Sequence, residues 1–260
     1  MSCRTLWVTA GAIALAHTAS AQAVWQDPPL SATPAGSNGW IATLPFAEDG
    51  DPLMAFAVRV NSGPPQWWIF DGGSSFCIID RATARRAGLA ARGRQAVHGA
   101  GNGTVGMDSI QQKLHLSFVG GWGFTCDHPL STDLSGIETD IGRHVSGIFG
   151  YDLLAKYIVQ IDFAGHAIRL YDPAVYRYTG HGDTIPLEMV GRQAHATVRI
   201  ADSGRPVAKR SLIVDTGSGD GVDDTLIVDS RTPPRYIVAT SGLGESHSAI
   251  EGTLDRLSIE

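Results

Sequence analysis

Cysteine is scarce, with 3 in 260 residues and no Cys-x-x-Cys pair. That excludes a disulfide-stapled mini-protein and gives no support to a zinc or dithiol redox site. Charge is low as well, at 18% of residues, and 20 Lys plus Arg fall short of 26 Asp plus Glu, for a net charge of -6. No long basic run offers itself to a phosphate backbone, so nucleic acid is not an expected partner. Long hydrophobic runs are missing too. The stretch Leu6 to Ala16 is about half of the roughly 20 residues that span a bilayer. Low-complexity segments are absent. What is plentiful is punctuation, with 31 Gly and 13 Pro among 43% hydrophobic residues. That pattern is too apolar for disorder and reads as many short strands joined by turns, not as a helical bundle. The length suffices for one or two domains with a sizeable core.

Arg4 precedes the apolar stretch, and small residues end it at Ala19-Ser20-Ala21 or Ala21-Gln22-Ala23. This pattern predicts a secretory signal peptide over 1–23, cleaved after Ala21 or Ala23, with no stable membrane anchor afterwards. The expected location is therefore outside the cytoplasm, periplasmic or secreted. Cys3 would leave with the leader, and Cys77 and Cys126 would remain where oxidation is permitted. Two readings of that pair stand open: one disulfide, or two buried free thiols in apolar strands.

A repeat organises the rest. Val58-Arg59-Val60, a turn at Ser62-Gly63-Pro64 and Trp67-Trp68-Ile69-Phe70-Asp71-Gly72-Gly73-Ser74 return later in the same order. Their counterparts are Val198-Arg199-Ile200, a turn at Ser203 to Pro206 and Leu212-Ile213-Val214-Asp215-Thr216-Gly217-Ser218. Gly99-Ala100-Gly101 is echoed by Gly242-Leu243-Gly244, and Leu116-Ser117-Phe118 by Leu257-Ser258-Ile259. Strands are expected at 55–60, 113–118, 157–163 and 211–214, with a short helix over 81–87 between Asp80 as N-cap and Gly88. Trp67 and Trp68 alternate on a strand, so at least one of them belongs to the core. The Pro- and Gly-rich stretch 173–185 reads as a linker between a first lobe, 24–172, and a second, 186–260.

Each copy ends an apolar strand in an acid followed by small residues, Asp71-Gly72-Gly73-Ser74 and Asp215-Thr216-Gly217-Ser218. The strand carries the Asp inward, and the Gly next but one turns the backbone so that an N–H faces the carboxylate. Two such loops facing each other would place two carboxylates where they cannot both ionise easily. One would then act as base toward water and the other as acid toward a carbonyl.

Asp215-Thr216-Gly217-Ser218 after an apolar strand resembles the active-site motif of pepsin-like and retropepsin-like aspartic peptidases. Ser146-Gly147-Ile148-Phe149-Gly150, running on to Ile158–Phe163, is similar to the family's second element, a psi-shaped crossing beneath the active-site loop. The resemblance implies an all-β acid-protease fold, mostly strands with short helices, in two related lobes. It implies Asp71 and Asp215 as the catalytic pair, supported by Gly73, Ser74, Thr216, Gly217 and Ser218. Ile148, Phe149 and Gly150 would form the crossing, and Gly99, Gly101 and Gly103 a flap over a bound peptide. The partner would be a peptide or protein substrate, with no metal and no organic cofactor. Gly72 departs from the family, which has Thr or Ser there and uses that hydroxyl to tie the two loops together; here Thr216 alone can supply it. A second departure is that the counterpart of Ile148-Phe149-Gly150 would lie past Glu260, so the second lobe is expected to be incomplete. Two other arrangements stay open: a peptide-binding chain without turnover, and a homodimer that pairs Asp71 with its own copy.

Overall fold

The computed structural model describes residues 7–9, 38–47, 53–99, 104–141, 143–201, 206–219, 221–222, 235–239, 243, 247–251 and 254–260. The chain is mostly β. It runs β1 (Trp7–Thr9), β2 (Trp40–Pro45), β3 (Ala55–Val60), β4 (Pro65–Phe70), β5 (Ile78–Asp80), α1 (Arg81–Arg86), β6 (Ala91–His98) and β7 (Thr104–Ile110). There follow β8 (Leu114–Phe118), β9 (Gly123–Cys126), β10 (Leu130–Thr132), α2 (Ser135–Ile141), β11 (Gly147–Phe149), α3 (Tyr151–Leu154), β12 (Ile158–Asp162) and β13 (Ala167–Tyr171). After a stretch without strands come β14 (Leu187–Val190), β15 (Gln193–Ala201), β16 (Ala208–Ile213), β17 (Arg235–Ala239), β18 (His247–Glu251) and β19 (Arg256–Ile259).

A nine-stranded sheet in the order β6-β7-β10-β5-β11-β4-β3-β8-β9 forms the body of the first half. A second sheet, β1-β12-β13-β2, contributes Ala42, Leu44, Val159, Ile161, Ile168 and Leu170 to the same core. Between them Phe56, Phe118 and Phe124 surround Phe149, each with ring centroids within 6 Å of it. Trp68 is fully buried and Trp67 half-buried, as the alternation required. Helix α1 begins where its cap predicted, with the Asp80 carboxylate accepting from the Thr83 N–H, and it stops short of Gly88, whose φ is +68°. Cys77 and Cys126 form a disulfide that ties the entry to β5, an interior strand of the sheet, to the edge strand β9.

The repeat reappears as matching strand pairings. Val58 lies opposite Phe118 and Val60 opposite Leu116, where β3 meets β8. Val198 lies opposite Ile259 and Ile200 opposite Leu257, where β15 meets β19. On their other edges β3 pairs with β4 and β15 with β16, both antiparallel. The hairpin β6–β7 likewise has its counterpart in β17–β18. Strand β16 begins earlier than expected because Lys209 and Arg210 hide its start from a reading based on apolar runs.

Most of the expected leader lies outside the described residues. The backbone of Trp7–Thr9 runs parallel to β12, with Trp7 opposite Gln160. Among the described residues no helix is long and apolar enough to cross a membrane.

Candidate active site

Strand β4 buries Trp68, Ile69 and Phe70 and delivers Asp71 to the end of the sheet. The Asp71 N–H donates to the Phe149 carbonyl at 2.9 Å, so the β4–β11 ladder continues one step beyond the strand. Strand β11, carrying Ile148 and Phe149, thus passes directly beside the loop. Gly150 follows, with a carbonyl so close above it that a Cβ there would run into the Asp71 oxygen. The Ser74 carbonyl accepts from the Tyr151 N–H at 3.0 Å, pinning the far end of the loop to the start of α3.

Inside this frame the Asp71 carboxylate accepts two backbone N–H groups at Oδ1, from Gly73 at 2.8 Å and Ser74 at 2.9 Å. The Ser74 hydroxyl is engaged elsewhere, donating to the Phe76 carbonyl at 3.0 Å. In the second copy the Gly217 N–H donates to Asp215 Oδ1 at 2.7 Å. Ser218 sits partly buried next to it.

The two loops face each other. A Cβ built on Gly73 would stand 2.6 Å from Asp215 Oδ2, and one built on Gly217 would run into the Asp71 carboxylate. Each glycine therefore makes room for the other loop's acid, and neither position admits a side chain without separating the pair. Thr216 bridges the loops, its Oγ1 accepting the Gly72 N–H at 2.9 Å and donating to the Phe70 carbonyl at 3.4 Å. A Cβ at Gly72 would already lie 2.9 Å from the Val214 carbonyl, so the two backbones approach closely at this position.

This packing sets the electrostatics. Burial, then the charge of Asp215, then a hydrogen bond between the two carboxyls push Asp71 up to about 8, against the opposing pull of the Gly73 and Ser74 N–H groups. Asp71 therefore favours its protonated form at neutral pH.

Of the expected flap, Gly99 is described, and Gly101 and Gly103 lie outside the described residues. Gly99 follows β6 directly, and a Cβ on it would strike the Leu243 carbonyl, so the backbones of Gly99 and Leu243 lie against each other. Leu243 also packs with Val97 and Val105 against the cluster around Ile69 and Ile148. For metal ligation, Cys77, Cys126 and Asp152 bring ligand atoms within 4.8 Å of one another, but both sulfurs are committed to the disulfide.

Two contacts to the loop were not foreseen. Gln193 Nε2 donates to the Gly73 carbonyl at 2.7 Å, and Arg192 Nη1 to the Ser75 carbonyl at 3.3 Å. Neither residue sits in a motif, and a polar residue at the start of a strand carries no signal of its own.

No known family profile matches the chain, and no curated protein sequence does. Among solved structures, a retropepsin-like aspartic protease from Rickettsia conorii is similar over 50% of this chain and 93% of its own, at 14% identity and a TM-score of 0.30. A likeness of that size bears no weight on function.

Proposed function

We propose that the chain is an aspartic-type endopeptidase of the pepsin/retropepsin-like kind, which hydrolyses peptide bonds with water held between Asp71 and Asp215. The observation that carries this reading is that two copies of one motif face each other and bring their two carboxyls together, with Asp71 raised to about 8. Asp215, the exposed member, takes a proton from the water as its oxygen adds to the peptide carbon. Asp71 gives its proton to the carbonyl oxygen. When the resulting diol collapses, the C–N bond breaks, the amine leaves with the proton held by Asp215, and Asp71 recovers its own from a diol hydroxyl. The acid is regenerated and no covalent enzyme intermediate forms.

Supply of both acids by one chain is supported by the Asp71–Asp215 contact and by the Thr216 bridge, and it is favoured over the pairing of Asp71 with a second copy. We further propose that the mature protein, two lobes joined by a linker over 173–185, works outside the cytoplasm after removal of 1–23. A disulfide buried in the core suits that compartment.

The test is cleavage of a mixed-sequence peptide library at acidic and neutral pH by the purified chain and by Asp71→Asn and Asp215→Asn. Each variant should lose about 100-fold or more, the usual contribution of a positioned acid or base. Full activity in a chain cut after Asp172 would favour the homodimer, and peptide binding without any cleavage would leave a binding protein.

A further inference from the structure

The bonds that hold the Asp71 loop from across the molecule are given by the second half. Thr216 takes the Gly72 N–H and reaches the Phe70 carbonyl, Gln193 takes the Gly73 carbonyl and Arg192 the Ser75 carbonyl. Gln193 and Arg192 come from a tight turn. Val190 pairs with Gln193 across the hairpin β14–β15, and Gly191, at φ +62°, and Arg192 form the connection. Such a short, twisted turn fixes the direction in which its residues point. Arg192 is held further by its surroundings, its guanidinium 4.9 Å above the Phe76 ring and 5.2 Å above that of Tyr151. These two residues flank the loop, Phe76 at its end and Tyr151 where α3 receives it, so Arg192 braces both sides of the turn.

The matching position of the first half carries a different kind of residue. The Phe70 N–H donates to the Met54 carbonyl, and its counterpart Val214 donates to Ala194, so Leu53 stands where Gln193 does in the second copy. A leucine offers no donor, and this one packs against the apolar cluster around Ile69 and Ile148.

We propose that Gln193, braced by Arg192, is a positioning residue for the Asp71 carboxyl, taking over in this chain the restraint that a hydroxyl at position 72 would have given. The role rests on the peptidase reading above. The Gly73 carbonyl belongs to the residue whose N–H holds Asp71 Oδ1, so a bond on one side of that residue orients the N–H on the other. Loss of the amide would let the loop tilt and Asp71 swing relative to Asp215, and rate falls steeply with such drift while substrate contacts elsewhere persist.

The experiment uses the full chain with Gln193→Leu, Gln193→Lys and Arg192→Ala, and follows amide hydrogen exchange at Gly72, Gly73 and Ser74 beside turnover of a peptide found by library screening. Gln193→Leu should speed exchange at these three amides about tenfold, with the hairpin β6–β7 unchanged. It should lower kcat about tenfold while KM stays within about twofold. Gln193→Lys, which keeps a donor, should recover most of both effects, and Arg192→Ala should give the same changes at about threefold. Unaltered exchange at Gly72 to Ser74 in a folded Gln193→Leu chain overturns the proposal, whether or not the parent cleaves peptides. Faster exchange in Gln193→Leu, where the parent chain cleaves nothing, keeps the restraint and removes the peptidase reading. If Gln193→Leu does not fold, Gln193→Glu, equal in size but without the donor, decides by the same criterion.

Discussion

Leu116 and Leu257 occupy the same place in two copies of one strand pairing, yet Leu116 is fully buried and Leu257 is 40% exposed. Their neighbours differ in the same sense, Phe118 at 4% and Ile259 at 52%. The strand geometry is shared, so the difference lies in what covers it. In the first half β4 is flanked on its outer edge by β11, and the sheet packs against β2, β12 and β13. Among the described residues β16 pairs with β15 alone. Pairing register is thus a property of local sequence and turn, whereas burial is a property of the layer laid over it. Both halves nevertheless hold an Asp in the same kind of loop, because that loop needs only its strand, its small residues and the opposing loop.

Breaking the disulfide should separate the halves most strongly. Cys77 and Cys126 lie 49 residues apart in the first half, and replacing both with Ser should cost about 4 kcal/mol of its stability by chemical denaturation. Amide exchange in β15 and β16 should change little. Equal weakening there would mean that the halves unfold as one unit.

A smaller effect is expected from the register-matched leucines. Leu116→Ala should cost about 3 kcal/mol, a core cavity. Leu257→Ala should cost less than about 1 kcal/mol, because much of its side chain already meets solvent. Equal costs in thermal unfolding would show a cover over β19 in solution and erase the contrast.

The contact between the loops is tested through pH. Asp71 is ordinarily ionised above 3.8 and is raised to about 8 in the fold. Between those values the folded state holds a proton that the unfolded state has released, so folding stability falls as pH rises from about 4 to about 8. Asp71→Asn removes that penalty and keeps a group able to donate to Asp215. Its Tm should match the parent near pH 4 and exceed it increasingly toward pH 8.

Much of this was legible in the chain itself. Val58-Arg59-Val60 and Val198-Arg199-Ile200 announced a repeat, and alternation placed β3 and β8 to within a residue, because buried strand faces demand apolar side chains at period two. The paired Asp motifs were visible because their chemistry needs small residues at fixed spacing. The hairpin strand β6 was less visible, since Ala91–His98 is largely exposed and carries no alternation. The state of Cys77 and Cys126 was undecided because a buried thiol and a half-cystine ask the same of a strand. Gln193 and Arg192 escaped notice because their partners are backbone carbonyls, and a carbonyl leaves no mark in the sequence. The departure at Gly72 was plain in the sequence, but the two bonds of the Thr216 hydroxyl, to the Gly72 N–H and the Phe70 carbonyl, were not, because both partners are backbone groups.

The most direct test of the central claim, that two copies of one loop press two carboxyls together, is a carbon NMR titration of the Asp71 carboxyl in the parent chain and in Asp215→Asn. The account predicts a midpoint raised to about 8 in the parent. In the variant the midpoint should move down but stay above the ordinary range, because burial is the larger cause and the Asp215 charge the second. An Asp71 that titrates near 3.8 in the folded parent, or one indifferent to the loss of Asp215, would contradict it.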